Sequence, residues 1–281
     1  LPNILGKNKG TPVVQEIHYA DLHPYTIKDI HSYPKKASGM LWAAHLRLAR
    51  KAAKTADVVV TPSKYMKNRL VEVFGLPEEN ISVVPVGVNE DVFSIKRNTG
   101  GGETTNIIFV GRLVKEKGLD VLINALTKVG EKKDARLTVV GDGPLKEQYV
   151  KQARQLGISE KTNFKGFLTR ENILSLLSET DMLVVPSLAE NFPRITLEGM
   201  GAGVPVIASC VGGIPEQITD GVNGMLFSPG DHNELADKII KLSSDPDTTE
   251  KMGSSGRESA REFTIQKKIT CFERLYGKLL A

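Results

Sequence analysis

Cysteine is nearly absent: Cys210 and Cys271 are the only two in 281 residues. Two thiols so far apart make neither a disulfide framework nor a closely spaced metal pair. They read as reduced, structural residues of a cytoplasmic protein. Long apolar runs are missing too, and none approaches the ~20 residues of a membrane span. No charged-then-apolar signal segment opens the chain, which begins at Leu1 rather than Met. The paired acids of Asp245-Pro246-Asp247 precede Thr248-Thr249-Glu250, the pattern of a helix cap and not of a metal site. No other carboxylate or histidine group has metal-ligand spacing, so the sequence implies neither metal nor cofactor.

What remains has the composition of a soluble globular protein, 40% hydrophobic and 25% charged. The net charge of +4 is uneven. Residues 1–98 hold 14 Lys/Arg against 9 Asp/Glu (+5), leaving 23 against 24 (−1) for the rest. That excess favours an anionic surface or a phosphate ligand; nothing suggests nucleic acid. The stretch Leu41–Lys54 carries Arg47, Arg50, Lys51 and Lys54 around Trp42, Leu46 and Leu48. It reads as a helix with a basic outer face, with peripheral membrane contact as the alternative.

Strands alternate with helices in two blocks, the pattern of parallel βαβ units. In the first block, strands are expected at Pro12–Ile17, Val58–Val60 and Ile81–Pro85, with a helix at Lys64–Phe74. Three strands amount to half of a doubly wound domain. The segment Ser94–Asn106, with Gly100-Gly101-Gly102 at its centre, reads as a linker. Beyond it, strands are expected at Ile107–Val110, Arg136–Val140, Thr162–Phe164, Met182–Val185, Val204–Ala208 and Gly224–Phe227. Helices are expected at Leu119–Leu126, Leu145–Gln155, Glu171–Leu177, Ile195–Met200 and Glu234–Leu242, the last opened by an Asp231/Glu234 capping box. Six strands complete a doubly wound domain.

The chemistry concentrates at strand ends. Glu190 and Glu198 lie eight positions apart, after the apolar run Met182–Val185 and around a helix start near Pro193. Two acids at the carboxyl edge of an open sheet suit a polyhydroxyl ligand. Gly111-Arg112-Leu113-Val114-Lys115-Glu116-Lys117-Gly118 places a glycine turn and cations between a strand and a helix start, an arrangement suited to phosphate. Gly141-Asp142-Gly143-Pro144 lacks the third glycine of a dinucleotide fingerprint and reads as a tight turn. His18 ends the first strand, a place where a surface role and a catalytic one compete.

In this order these motifs resemble glycosyltransferase family 4, the retaining GT-B enzymes. The likeness extends through Pro85-Val86-Gly87-Val88-Asn89, Phe164-Lys165-Gly166, Gly203–Ala208, Gly212-Gly213-Ile214-Pro215-Glu216 and Asp220–Gly224. The resemblance implies an α/β, GT-B-like fold of two Rossmann-like domains. Residues 1–98 would be an incomplete acceptor-side domain, 99–105 a linker, 106–259 the donor domain and 260–281 a helix crossing back. It implies a hexose moved with retention from a UDP- or GDP-sugar to an acceptor glycan or lipid-linked acceptor. Arg112 and Lys117 would hold the donor diphosphate, Glu190 the sugar hydroxyls and Glu198 the ribose. Backbone at Lys165, Gly166, Phe167 and Leu168 would face the base. The turn Asn191–Thr196, with Phe192, Pro193, Arg194, Ile195 and Thr196, would meet sugar and phosphates. His18 would reach the sugar from the other domain. Family members begin with further strands and a Gly-rich loop that nothing here precedes, so a longer natural protein is expected. A nucleotide-sugar epimerase on the same fold, or a donor-binding module without transfer activity, are the competing readings. A glycosidase would leave Arg112 and Lys117 without a task.

Overall fold

The computed structural model describes residues 12–17, 47–98 and 104–281. Among these, two parallel sheets form. The first is β1 (Val14–Glu16), β2 (Val58–Thr61) and β3 (Ile81–Val83), in that spatial order. A helical stretch at residues 47–55 precedes β2, and α1 (Lys64–Phe74) follows it. Met66, Leu70 and Phe74 recur at helical spacing on α1 and bury against Ile17, Val59 and Ile81. Gly75, at φ 61°, ends α1 in the left-handed conformation. Arg50 donates from Nε to the Phe74 carbonyl at 2.8 Å. One cation of the expected basic face is therefore spent on closing a neighbouring helix.

The second sheet contains β4 (Thr105–Val110), β5 (Ala135–Val140), β6 (Thr162–Gly166), β7 (Met182–Val185), β8 (Val206–Ser209) and β9 (Met225–Phe227). Its order is β6-β5-β4-β7-β8-β9, every pair parallel. The chain thus winds outward twice from the β4–β7 seam, as right-handed crossovers require. All residues of β7 and β8 are buried, which explains their unbroken apolar sequence. Helices α2 (Leu119–Gly130), α3 (Lys146–Gln155) and α6 (His232–Ser243) cover one face through Leu122, Tyr149 and Ile239. Helices α4 (Arg170–Ser178) and α5 (Arg194–Gly201) cover the other through Leu177, Leu197 and Met200. Helix α7 (Pro246–Ala260) packs on α5 and α6, and α8 (Ile265–Leu280) closes the chain.

Three expectations need correction. Asp231 caps α6 through the Asn233 and Glu234 amides, but Glu234 accepts from Ser228, so the box is not reciprocal. Cys210 and Cys271 are both free, but Cys210 is exposed and Cys271 half-buried, so neither has the burial of a structural cysteine. The stretch 94–98 is not slack. Arg97 donates to the Thr180 carbonyl at 2.9 Å, and the Asn98 amide donates to Ser178 at 2.7 Å. Arg257 holds the Ile95 and Ala202 carbonyls at 2.8 and 2.6 Å. These arginines border a cavity of about 920 Å³ at the amino ends of β4 and β7. That is the edge opposite the glutamates, and its charges are of both signs.

The chain passes between the two sheets twice, at adjacent points. Val88 donates to the Phe263 carbonyl at 2.9 Å and accepts from the Ile265 amide at 3.0 Å. A Cβ on Gly87 would sit 2.7 Å from the Ile265 Cα, so the two passes are tightly packed. Lys268 of α8 also pairs with Glu16 at 2.9 Å.

Candidate functional site

From the seam between β4 and β7 the following connections turn to opposite sides, opening a crevice at the carboxyl edge. The loop after β4 carries Arg112 and then a 3-10 turn, Lys115–Lys117, so its cations are not on the helix start itself. Gly118, at φ 63°, reverses the chain before α2 begins at Leu119. A side chain there would run into the Pro186 carbonyl, so only glycine serves. The Leu188 and Ala189 amides then donate to the Glu116 carbonyl at 2.8 and 3.3 Å. The two crevice loops are stitched together backbone to backbone.

That stitching delivers Lys117 to Glu190. Lys117 Nζ and Glu190 Oε1 form an ion pair, and Ser187 Oγ donates to the same oxygen at 3.1 Å. Glu190 is only 8% exposed, and a polar group so enclosed costs free energy unless its hydrogen bonds are met. Expected to hold separate parts of a ligand, the two side chains here hold each other.

Past Glu190 the chain turns into α5. Phe192 is buried, its ring 5.6 Å from that of Phe263, so only its backbone faces the crevice. Pro193 has no N–H, and its carbonyl accepts from Gln217 Nε2 at 3.1 Å. Pro193 is the N-cap and supplies no side-chain bond, and the first turn holds no acid. The amino end of α5 therefore lacks a side-chain cap, the condition in which helix amides and dipole serve an anion. Thr196 Oγ1 is buried there without a partner among the described residues. Arg194 is exposed beside it and Ile195 packs on the core.

Glu198, 8% exposed, accepts from Arg170 Nε at 3.2 Å. The other guanidinium nitrogens fork onto Asp91 at 2.6 and 2.8 Å, a bidentate pairing. The two carboxyls respond oppositely. Burial pushes Glu198 above the usual carboxylate range despite Arg170. Asp91, largely in water, is held below it by its hydrogen bonds to Arg170. Local sequence does not reveal Arg170 or Asp91. Arg170 lies just before the helix expected at Glu171–Leu177, and nothing nearby says that it reaches 28 positions ahead.

The remaining residues named from sequence fall around the crevice. The Arg112 side chain is exposed and makes no ion pair or hydrogen bond among the described residues. Lys165 is exposed, Gly166 has φ 70°, and Phe167 is 83% exposed beyond the end of β6. Leu168 packs inward on the core, so its side chain is turned from a ligand. His18 lies outside the described residues. Among the described residues no cluster of three or more His, Cys, Asp or Glu side chains is placed to hold a metal.

Comparison with known proteins places this arrangement. The family model of glycosyl transferases group 1 matches residues 93–259, and that of Glycosyltransferase Family 4 matches residues 2–92. N-acetyl-alpha-D-glucosaminyl L-malate synthase of Bacillus anthracis is 32% identical over 241 residues, covering 83% of this chain and 62% of its own. An uncharacterised glycosyltransferase of Methanocaldococcus jannaschii is 33% identical over 198 residues, 66% of this chain and 51% of its own. The chain thus spans roughly half to three fifths of these relatives. Among solved structures, Anabaena HepE in complex with UDP and glucose superposes with a TM-score of 0.76 at 26% identity, covering 95% of this chain and 71% of that one. Sucrose-phosphate synthase of Thermosynechococcus elongatus, at 22% identity, shares the fold with a TM-score of 0.80 over 95% of this chain and 67% of its own. With both family models matched and the winding of the second sheet agreeing, this chain belongs to the group 1 glycosyl transferases, glycosyltransferases of the GT-B fold.

Proposed function

We propose that the protein to which this chain belongs transfers a hexose, with retention, from a UDP- or GDP-sugar to the hydroxyl of a glycan or lipid-linked acceptor. The observation that carries the reading is the amino end of α5 without a side-chain cap, between two enclosed carboxylates that each have a cation. Helix amides, Lys117 and exposed Arg112 would meet the leaving diphosphate, where negative charge grows as the bond to the sugar breaks. Glu190 would exchange part of its pairing with Lys117 for sugar hydroxyls. Glu198 would accept from the ribose. Backbone around Lys165–Phe167 would face the base, and His18 would approach from the first domain. No side chain need act as nucleophile: the diphosphate oxygen would take the acceptor proton on the same face. HepE was solved with UDP and glucose, which favours a uridine donor, and cations at the diphosphate favour a reaction without metal or other cofactor. We place the reaction in the cytoplasm. Exposed Arg47, Lys51 and Lys54 would suit a membrane face bearing a lipid-linked acceptor.

Calorimetry with UDP and GDP tests the reading. One nucleotide should bind in the micromolar range, and Arg112→Ala should weaken it about tenfold, the ~1.4 kcal/mol of one charge-assisted contact. Absence of binding by either nucleotide would overturn the reading.

A further inference from the structure

We propose that Glu216 is a positioning residue that pins the first sheet's helix α1 to the loop carrying Glu190. The inference rests on the donor reading only for what the loop holds.

Helix α1 follows the carboxyl end of β2 and has no acid of its own in the first turn. Ser63, fully buried, accepts from the Met66 amide at 3.0 Å and meets one need of the helix end. The Lys64 and Tyr65 amides are met from the other end of the sequence. They donate to the two oxygens of Glu216 at 2.9 and 2.8 Å, across more than 150 positions. Glu216 therefore supplies both the missing hydrogen-bond acceptors and the negative charge that a helix amino end favours.

Glu216 is also rigidly connected to the donor crevice. Its own 3-10 turn, Ile214–Glu216, begins at Gly213, whose amide donates to the Asn191 carbonyl at 2.7 Å. A Cβ on Gly213 would lie 2.9 Å from the Ser63 side chain and 3.1 Å from Phe192. Gly212, at φ 60°, lies so close to the Glu190 carbonyl that any side chain would collide with it. The next residue, Gln217, holds the Pro193 carbonyl. The segment 212–217 thus touches Glu190, Asn191, Phe192 and Pro193 on one side and the start of α1 on the other. A shift of α1 relative to the second sheet is passed to the residues around the uncapped end of α5.

Amide hydrogen exchange by NMR on the chain tests this. In Glu216→Ala, exchange at Lys64 and Tyr65 should quicken tenfold or more. Gly213, whose amide Glu216 does not touch, should quicken as well. Glu216→Gln retains one carbonyl oxygen and should restore protection at only one of the two α1 amides. It also serves as the informative variant if the alanine form does not fold. Unchanged exchange at Lys64 and Tyr65 overturns the proposal. Faster exchange confined to α1, with Gly213 unchanged, reduces Glu216 to a local cap and overturns it equally. UDP and GDP added to the wild type read the donor assignment separately. If one binds, Glu216→Ala should weaken its binding severalfold, because the loop around the donor crevice loses its hold on α1; unchanged affinity overturns the pin. If neither binds while the Gly213 effect stands, the donor reading fails and the pin survives.

Discussion

Arg170 serves two carboxylates with different needs, and its loss separates them. Asp91 would return to water at small cost. Glu198 would stay enclosed without its cation, the more damaging half of a broken buried pair. Because burial already raises Glu198, its folded form favours the proton more than the unfolded chain does. Such a group stabilises the fold below its unfolded pKa, and that contribution is lost as pH rises through the folded pKa. Removing Arg170 raises the folded value further. Arg170→Met should therefore be near wild type in melting temperature at pH 4 and less stable by about 2 kcal/mol at pH 7. Thermal melts across that range check it, and a constant difference would contradict it. Glu190→Gln tests the neighbouring pair. It frees Lys117 and, on the proposed donor role, weakens the contact to the sugar hydroxyls, so turnover should drop about a hundredfold with nucleotide affinity within a few fold in calorimetry. At this scale the sequence was half legible. The spacing of Glu190 and Glu198 around a helix start was readable because it is local. Their partners were not, because Lys117 and Arg170 arrive through the fold.

Among the elements, strands and helices with large apolar residues were legible, whereas α7 showed only its beginning. Asp245 caps it through the Thr248 amide at 3.0 Å, with Pro246 in the first turn, as the sequence suggests. Its buried residues are Met252, Gly253, Gly256 and Ala260. A stripe of small residues allows close packing but gives a weak apolar period, and internal glycines lower helix propensity. The capping box at α6 failed for another reason: the Asp231 amide donates to the Ser228 carbonyl at 3.0 Å, and Glu234 accepts from the Ser228 amide. The junction before α2 is a demanding turn. Gly118→Ala should cost about 3 kcal/mol, from a left-handed backbone and a clash with the Pro186 carbonyl together. Urea unfolding measures it; a cost below about 1 kcal/mol would mean that the two loops are less tightly stitched than described.

In the molecule as a whole, the second sheet has packed helices on both faces, while the first, among the described residues, has one modest cluster around Met66 and Leu70. Local opening should therefore be cheaper in the first. Amides of β2 and β3 should exchange faster than those of β4, β7 and β8, as mass-resolved exchange can read; equal protection would show a single cooperative unit. The alternation of strands and helices made both sheets legible, and the winding order followed from connection rules. The crossing of Val88 beside Thr264 was not legible, because it joins segments 176 positions apart through backbone alone. Its consequence is mechanical. A single tether lets two bodies swivel freely, but two bonded side by side resist torsion while still allowing a bend. A parting of the sheets would therefore be confined to a bend at this crossing, and it would first have to release Glu216 from the start of α1.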